Sequence, residues 1–360
     1  MRAPSFLAAI LLVTVAACGG AAVPTTSLPS ASAAPSAAPP ATAPDPTTTP
    51  LPLPTELALG QTIGLFYDPQ LERVVLVNGA QERAPARPTE LWIWSGSAWE
   101  LLDTAGPEAR SFAAIGHDPV RNVLVVHGGI SGSGAAFDET LEWDGRDWTV
   151  HQSDAGGPGP REGAGLAHEA ATGRMLLFGG AVAFEQQGDT WAWDGETETW
   201  ERVTQDGPRP RFVSLMTEDR ATGDVLLQGG HWVDGNDGDF LADTWRWDGA
   251  AWTEVPGEDG PGPRVNSPGT WDDRLGGVVM VGGGTGETAP MASDTWLWRD
   301  GWTRIETATA PGPRGGHALA FDAKRQVLVL IGGIAEPGGR QLPEVWELDA
   351  DGWRQVLPAE

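Results

Sequence analysis

Cysteine, lysine and tyrosine are almost missing from this chain. The scarcity of cysteine excludes an internal disulfide, and the scarcity of lysine contributes to a charge balance that excludes nucleic acid as a partner. Its 360 residues include a single cysteine, Cys18, so no internal disulfide can form and the fold must rely on burial and hydrogen bonding. Lys324 is the only lysine, and 23 basic residues stand against 49 acidic ones, for a net charge of −26. Because phosphate backbones repel so acidic a surface, nucleic acid is excluded as a partner.

Glycine, proline and tryptophan are abundant instead. The 49 glycines and 30 prolines make up more than a fifth of the chain, which disfavours a helical protein. The 18 tryptophans supply apolar area that a disordered polymer lacks. This composition predicts a large, turn-rich β fold, which we expect to be a monomer.

The first 18 residues have the features of a bacterial export signal. Arg2 provides a positive charge, Phe6 to Val15 form an apolar run, and small residues follow. The run is too short to remain in a membrane as a spanning helix. Its end, Val15-Ala16-Ala17-Cys18, resembles the lipobox of bacterial lipoproteins, which implies lipid attachment at Cys18. An ordinary cleavage site with an incidental cysteine is the alternative.

Residues 19–54 have a composition that cannot bury a core. They are almost entirely Ala, Pro, Thr, Ser and Gly, with Asp45 as the only charged residue. We expect a disordered stalk that tethers a folded domain, residues 55–360, to the outer side of the bacterial cell membrane. Membrane contact would then come from the lipid alone.

From residue 60 onward the sequence repeats six times. Each repeat has a β-rich run that ends in a glycine doublet, and the second glycines are spaced by 50, 51, 50, 53 and 50 residues. These glycines are Gly79, Gly129, Gly180, Gly230, Gly283 and Gly333. An acidic residue earlier in each repeat follows the same spacings: Asp68, Asp118, Glu169, Asp219, Asp272 and Asp322.

The second half of each repeat is rich in tryptophan. It begins with an acidic residue, namely Glu90, Glu139, Asp189, Asp243, Asp294 or Glu344. A Trp or Leu follows within a few positions, and a tight turn such as Asp144-Gly145 leads to a last tryptophan. The last tryptophans are Trp99, Trp148, Trp200, Trp252, Trp302 and Trp353. We predict that the repeated tryptophans pack between neighbouring units.

Each repeat is predicted to form four short strands, a to d. In the sixth repeat they are 317–321, 327–331, 345–348 and 353–357. Strand b is apolar at every position in several copies, which is typical of a strand buried on both faces. The fold class is therefore all-β: a six-bladed β-propeller of four-stranded antiparallel blades. Because the strands run from a to d in unbroken order, we expect blade 6 to close on blade 1 by side-chain packing.

These markers resemble the kelch repeat: a glycine doublet closes strand b, an acid precedes strand c, and a Trp follows the c–d turn. The likeness covers residues 60–357 and departs from the pattern at Asn78-Gly79, Leu141 and Leu348. It implies a propeller of the type found in the central domain of galactose oxidase. It implies no particular activity, because kelch propellers serve both as binding platforms and as frames for enzymes.

Several enzyme activities found in propeller proteins require residues or motifs that this chain lacks. Copper-radical oxidation would need tyrosine ligands and a Tyr–Cys crosslink, whereas the chain has only Tyr67, and Cys18 lies in the leader. The six histidines have no metal-ligand spacing, so we predict neither a metal nor another cofactor. A sialidase would use a tyrosine nucleophile and an arginine cluster, and Tyr67 and arginines are present. The turns, however, read W-D-G-x-x-W and differ from the Asp-box turns of sialidases, so this activity stays a minor alternative.

Trp232 and His231 are candidate ligand-binding residues. They follow the doublet of the fourth repeat and open the longest b–c loop, where an exposed aromatic side chain would suit contact with a protein or glycan. The loop continues through residues 234–239 as D-G-N-D-G-D. It lacks the ligand order of a calcium loop, so we interpret it as a solvated acidic turn.

An arginine precedes strand a in five repeats, and Gly60 takes its place in the first. The five are Arg110, Arg161, Arg211, Arg264 and Arg314. They could ring the channel mouth and bind a carboxylate, an acidic peptide or an acidic glycan. Alternatively, each could pair with the acid at the start of strand c, which is the interpretation that we favour.

Taken with the leader, these features predict an exported, lipid-anchored propeller outside the cytoplasm that serves as a non-enzymatic binding platform for a protein or glycan. The alternative is a hydrolase or lyase that acts on extracellular glycan at the mouth of the central channel. A catalytic site would require two or three titratable side chains that converge in one pocket.

Overall fold

The computed structural model describes residues 63–79, 86–103, 105–152, 156–182, 185–234, 237–257, 260–287, 289–337, 339 and 341–357. The export signal with Cys18, the stalk and Gly60 lie outside these residues. Within the described ranges, no helix is long and apolar enough to cross a membrane.

Each repeat forms one four-stranded antiparallel sheet, or blade, and six blades surround a central channel. Blade 1 contains β1 (Ile63–Asp68), β2 (Arg73–Asn78), β3 (Glu90–Trp94) and β4 (Trp99–Asp103). Blade 2 contains β5 (Ala114–Asp118), β6 (Val123–His127), β7 (Thr140–Trp143) and β8 (Trp148–His151). Blade 3 contains β9 (Gly165–Glu169), β10 (Arg174–Phe178), β13 (Thr190–Asp194) and β14 (Thr199–Thr204), with the hairpin β11 (Ala181–Val182) and β12 (Glu185–Gln186).

The other three blades repeat this arrangement. Blade 4 contains β15 (Leu215–Asp219), β16 (Asp224–Gln228), β19 (Thr244–Trp247) and β20 (Trp252–Glu254), with the hairpin β17 (His231–Asp234) and β18 (Asp237–Phe240). Blade 5 contains β21 (Gly269–Asp272), β22 (Gly277–Gly283), β23 (Ala292–Trp298) and β24 (Trp302–Ile305). Blade 6 contains β25 (Gly315–Asp322), β26 (Val327–Ile334), β27 (Val345–Asp349) and β28 (Gly352–Leu357).

The predicted fold class is confirmed. The first strands of neighbouring blades contact one another around the channel, and the second strands are almost wholly buried between blades. The predicted strands of the sixth repeat agree with β25 to β28 to within a few residues. The long b–c loop of the fourth repeat is itself largely a β-hairpin, β17–β18.

The acidic residue that ends each first strand organises the turn into the second strand. Asp68 accepts the backbone N–H groups of Gln70 and Leu71 at 2.7 and 2.9 Å, and Asp118 does the same for Val120 and Arg121. The corresponding acid accepts turn N–H groups in the other four blades. The acids recur because each one satisfies backbone donors at a buried strand end.

The glycine doublet after the second strand allows the backbone of the next repeat's arginine to approach closely. Gly179 and Gly180 have φ of 74° and 87°, in the left-handed region, and the N–H of Gly180 donates to the Arg211 carbonyl at 2.9 Å. A Cβ atom on Gly179 would lie 2.5 Å from that carbonyl oxygen. The doublets of blades 2, 4 and 5 make the same contacts with the next arginine. This close backbone approach explains why glycine recurs here.

Blade 6 closes on blade 1 through side chains. β25 contacts β1, and Trp94 and Trp99 of blade 1 share a buried cluster with Val329 and Val345 of blade 6. The Trp94 indole donates a hydrogen bond of 3.0 Å to Glu347 across this seam. Each described blade consists of four strands from one repeat, so the ring closes as the sequence predicted.

Candidate functional site

The central channel encloses a cavity of about 600 Å³ that is lined mainly by the first strands of the blades. Its two ends differ. At the b–c face, the b–c loops meet the segments that join one repeat to the next. At the opposite end, the a–b mouth, the first strands turn into the second strands.

A chain of backbone hydrogen bonds surrounds the channel at the b–c face. Each link is formed by the residue two positions after the arginine of its repeat, and these residues are Phe112, Gly163, Val213, Asn266 and Gly316. The N–H of each of the last four donates to the carbonyl of the preceding one, at 2.8, 2.8, 3.0 and 2.8 Å. All five have φ between 51° and 66°, including the β-branched Val213. The backbone of the linking segments therefore lines this end of the channel.

The five arginine residues lie behind this ring and are at most 6% exposed. Arg211 Nη1 donates to the carbonyl of Gly229 at 2.9 Å and to Asp243 at 2.7 Å, and Nη2 donates to the same carboxylate at 2.8 Å. The other pairs are Arg110–Glu139 at 3.5 Å, Arg161–Asp189 at 2.9 Å, Arg264–Asp294 at 2.7 Å and Arg314–Glu344. Each of the five arginines therefore lies beside the acid at the start of strand c in its own repeat.

Three of these five acids, Asp189, Asp243 and Asp294, also accept a tryptophan indole N–H. The Asp243 carboxylate also accepts the indole N–H of Trp245 at 2.7 Å, and the Asp189 carboxylate accepts that of Trp191 at the same distance. Burial raises the pKa of Asp243, but the hydrogen bonds from Arg211 and Trp245 outweigh it and hold this pKa below its usual value. The arrangement fixes the start of strand c against the linking segment.

The hairpin β17–β18 places Trp232 at the b–c face in what we call the Trp232 cluster: Trp232, Arg209 and Asp239. Trp232 lies opposite Asp239 in the hairpin register and is half-buried. The Arg209 guanidinium carbon lies 3.3 Å from the centroid of the Trp232 ring, and Nη1 donates to Asp239 at 2.9 Å. The Arg209 and Asp239 side chains are 42% and 59% exposed.

His231 points to the other side of the same hairpin. Its ring packs edge-on between Phe212 and Phe240, at centroid distances of 5.6 and 4.7 Å, and the residue is 3% exposed. This burial lowers the pKa of His231 to about 4. Val233 N–H donates to the side chain of Gln186 at 2.9 Å, which ties the hairpin to β11–β12 of blade 3. Trp232 is therefore presented by a fixed element, and His231 anchors it from beneath.

Charged and polar side chains converge at the other end of the channel, in a group that we call the a–b mouth cluster: His168, Glu218, Arg220, Trp271 and Asp273. His168 Nδ1 lies 3.2 Å from Glu218 Oε2, and the Trp271 indole donates to Asp273 at 2.8 Å. Arg220 reaches towards both carboxylates, at 4.0 Å from Glu218 and 3.8 Å from Asp273. Within the described part of the chain, no three His, Cys, Asp or Glu side chains group as a metal site.

Neither a protein-family model nor a curated protein matches this chain.

Sequence reasoning singled out Trp232 but missed its partners and the whole a–b mouth cluster. Arg209 lies two positions before Arg211, and Asp239 belongs to a segment predicted to be a loop, so no pattern linked them to Trp232. Glu218, His168 and Trp271 occupy one repeat position, the residue before the acid that ends strand a. That position carries a different chemical group in nearly every repeat. This variability is the sequence feature from which the a–b mouth cluster could have been predicted.

Proposed function

We propose that this chain is an exported, lipid-anchored propeller that binds a protein or glycan partner at the bacterial cell surface through its b–c face. The observation that carries the proposal is the Trp232 cluster. Trp232 lies at the surface on a hairpin whose base is buried, and the guanidinium of Arg209, from the preceding linking segment, stacks on its ring. Tryptophan and arginine are the side chains most enriched at the energetic centres of interfaces.

The rigidity of the hairpin favours binding. Asp239 holds Arg209 in place, His231 packs beneath the hairpin, and Gln186 fastens it to blade 3. A contact surface that is already ordered loses less conformational entropy when a partner binds. The export signal, the lipobox at Cys18 and the resemblance to kelch repeats support a role as a platform outside the cytoplasm.

The test compares full-length protein with Trp232→Ala and Leu101→Ala on isolated envelope proteins and on an array of cell-surface glycans. Trp232→Ala should weaken binding of the partner by at least about tenfold, as expected for a hot-spot tryptophan. Leu101 is a matched control because its apolar side chain is 41% exposed on the outer strand of blade 1. Leu101→Ala should bind like the parent.

Two outcomes would contradict the proposal. A partner that binds Trp232→Ala normally, and is lost when c–d turns such as Asp144-Gly145 are replaced, would place the functional surface on the opposite face. Release of shorter products from a glycan without stable binding would favour the hydrolase or lyase alternative.

A further inference from the structure

His231 lies at the base of the hairpin β17–β18, where its ring makes apolar contacts. The ring packs edge-on between Phe212 of the linking segment and Phe240 of β18, at centroid distances of 5.6 and 4.7 Å. Nδ1 and Nε2 are both buried, and neither has a hydrogen-bond partner among the described residues. A Cβ atom on Gly238 would lie 3.2 Å from Nε2, so the backbone of β18 closes over that side of the ring. The neutral ring therefore serves as a packing group between two phenyl rings.

Among the described residues, no charged group compensates for a proton on this ring. Asp239 of β18 favours the protonated form, but Arg209 already occupies its carboxylate at 2.9 Å. Arg211, in the linking segment, is held by the acid of its own repeat. Glu185 of β12, on the blade 3 side, is exposed. Burial accordingly lowers the pKa of His231 from the usual 6.5 to about 4.

The hairpin can open without disrupting a blade. β17 and β18 form a two-stranded sheet of their own, separate from the four strands of blade 4. At its base, the backbones of His231 and Phe212 exchange hydrogen bonds of 2.9 and 3.1 Å, and at its side Val233 donates to Gln186. Among the hairpin residues whose burial is described, only His231 is fully buried. A charge on this ring therefore acts where the hairpin is held to the propeller.

We infer that acid opens this hairpin, because a protonated His231 ring leaves its place between the two phenyl rings, and that the Trp232 cluster comes apart as a result. Trp232 follows His231 on β17, and Asp239 lies opposite Trp232 on β18, so neither keeps its position against Arg209 once the hairpin opens. Release of a bound partner in acid rests on the function proposed above. The opening itself requires no partner.

The two protonation states define the pH range of the opening. Above about pH 6.5 the ring is neutral whether the hairpin is closed or open. As the pH falls from 6.5 to about 4, the open hairpin gains a proton that the closed hairpin excludes, so the open form is favoured. Below about pH 4 both forms carry the proton, and the effect levels off. Across this range the ratio of closed to open hairpin falls roughly 300-fold.

The test is hydrogen–deuterium exchange of the full-length protein at pH 7 and pH 4, without a partner, in a peptide that covers residues 231–240. Exchange is expressed relative to the rate of an unfolded chain at each pH. In the parent, protection of the hairpin should fall at least about 100-fold between the two pH values. His231→Phe keeps an aromatic ring that cannot be protonated, so it should lose most of this response. His231→Leu should behave in the same way with a smaller side chain.

His117→Phe is the matched control. The pKa of His117 is also lowered by burial, but this residue lies on β5 of blade 2. His117→Phe should therefore leave the response of the hairpin unchanged. In the parent at pH 4, β16 should remain better protected than the hairpin, which separates local opening from unfolding of blade 4.

Three results would overturn the proposal. The first is equal protection of the parental hairpin at both pH values. The second is a full response in both His231→Phe and His231→Leu, which would assign the effect to Asp239. The third is a hairpin that loses protection only together with β16. Because no partner is present in these measurements, such a failure is distinguishable from a failure of the binding test with Trp232→Ala.

Discussion

The indole N–H of Trp252 in blade 4 donates a 2.9 Å hydrogen bond to the hydroxyl of Thr190 in blade 3. The same bond joins three further pairs of neighbouring blades: Trp200 with Thr140, Trp302 with Thr244, and Trp353 with Thr295. At the seam between blades 6 and 1 the equivalent residue is Val345, and the buried Trp99 N–H has no acceptor among the described residues.

This difference predicts opposite effects at two equivalent positions. Thr190→Val should lower the free energy of unfolding by about 1–3 kcal/mol, because the buried Trp252 donor loses its partner. Val345→Thr should raise it by up to about 1 kcal/mol, because the new hydroxyl can accept from Trp99. Urea unfolding of both variants measures the two changes. Equal destabilisation by both would show that the seam does not lack an acceptor.

The glycine doublet predicts a difference between two alanine substitutions. Gly179 and Gly173 have similar φ, 74° and 70°, but a Cβ atom on Gly173 would meet nothing within 4 Å. Gly173→Ala should cost about 1 kcal/mol from backbone strain alone. Gly179→Ala should cost at least about 2 kcal/mol more, because its Cβ atom would collide with the Arg211 carbonyl oxygen. Thermal and urea unfolding compare the two, and similar losses would contradict the close contact.

The arginine pairs predict a loss of stability in acid. Because the pKa of Asp243 is held below its usual value in the folded protein, the stabilisation is fully present above about pH 4. It is lost as the pH falls through the lower folded-state pKa. Asp243→Asn should therefore destabilise the protein more at pH 6 than at pH 3, as measured by urea unfolding. Glu254 is exposed at the end of β20, so Glu254→Gln should keep the parental pH profile. An identical profile for Asp243→Asn would argue against the pair.

Lipid attachment at Cys18 stays a prediction, because this residue lies outside the described ranges. Cys18→Ala should appear in the soluble fraction of cells, whereas the parent should sediment with membranes and resist a salt wash. Mass spectrometry of the parent should find the lipid on the cysteine. A Cys18→Ala protein that remains bound to membranes after the salt wash would show that another segment is the anchor.

The sequence predicted the number of blades and most strand positions because each marker has a local, repeated cause. The acid that ends strand a accepts hydrogen bonds from turn N–H groups such as that of Gln70. Glycine is required at position 179 because a Cβ atom there would collide with the Arg211 carbonyl oxygen. The left-handed conformation of Val213 was not predictable in this way, because a β-branched residue disfavours it and only the ring imposes it.

The candidate sites were harder to predict because they depend on residues brought together from different repeats. His168 and Glu218 are 50 positions apart and meet only because neighbouring blades curve around one channel. Arg209 covers Trp232 from a linking segment rather than from the same hairpin. The repeat pattern identifies residues that occur in every blade, whereas the candidate sites consist of residues that occur in one blade only.

The backbone chain from Phe112 to Gly316 affects the electrostatics of the channel. At an α-helix end, peptide dipoles point along one axis and add up, which favours an ion there. Here the amides follow one another around the channel, since each N–H donates to the carbonyl of the preceding blade. Dipoles placed head to tail along such an arc largely cancel. The backbone at the b–c face therefore adds little field along the channel axis.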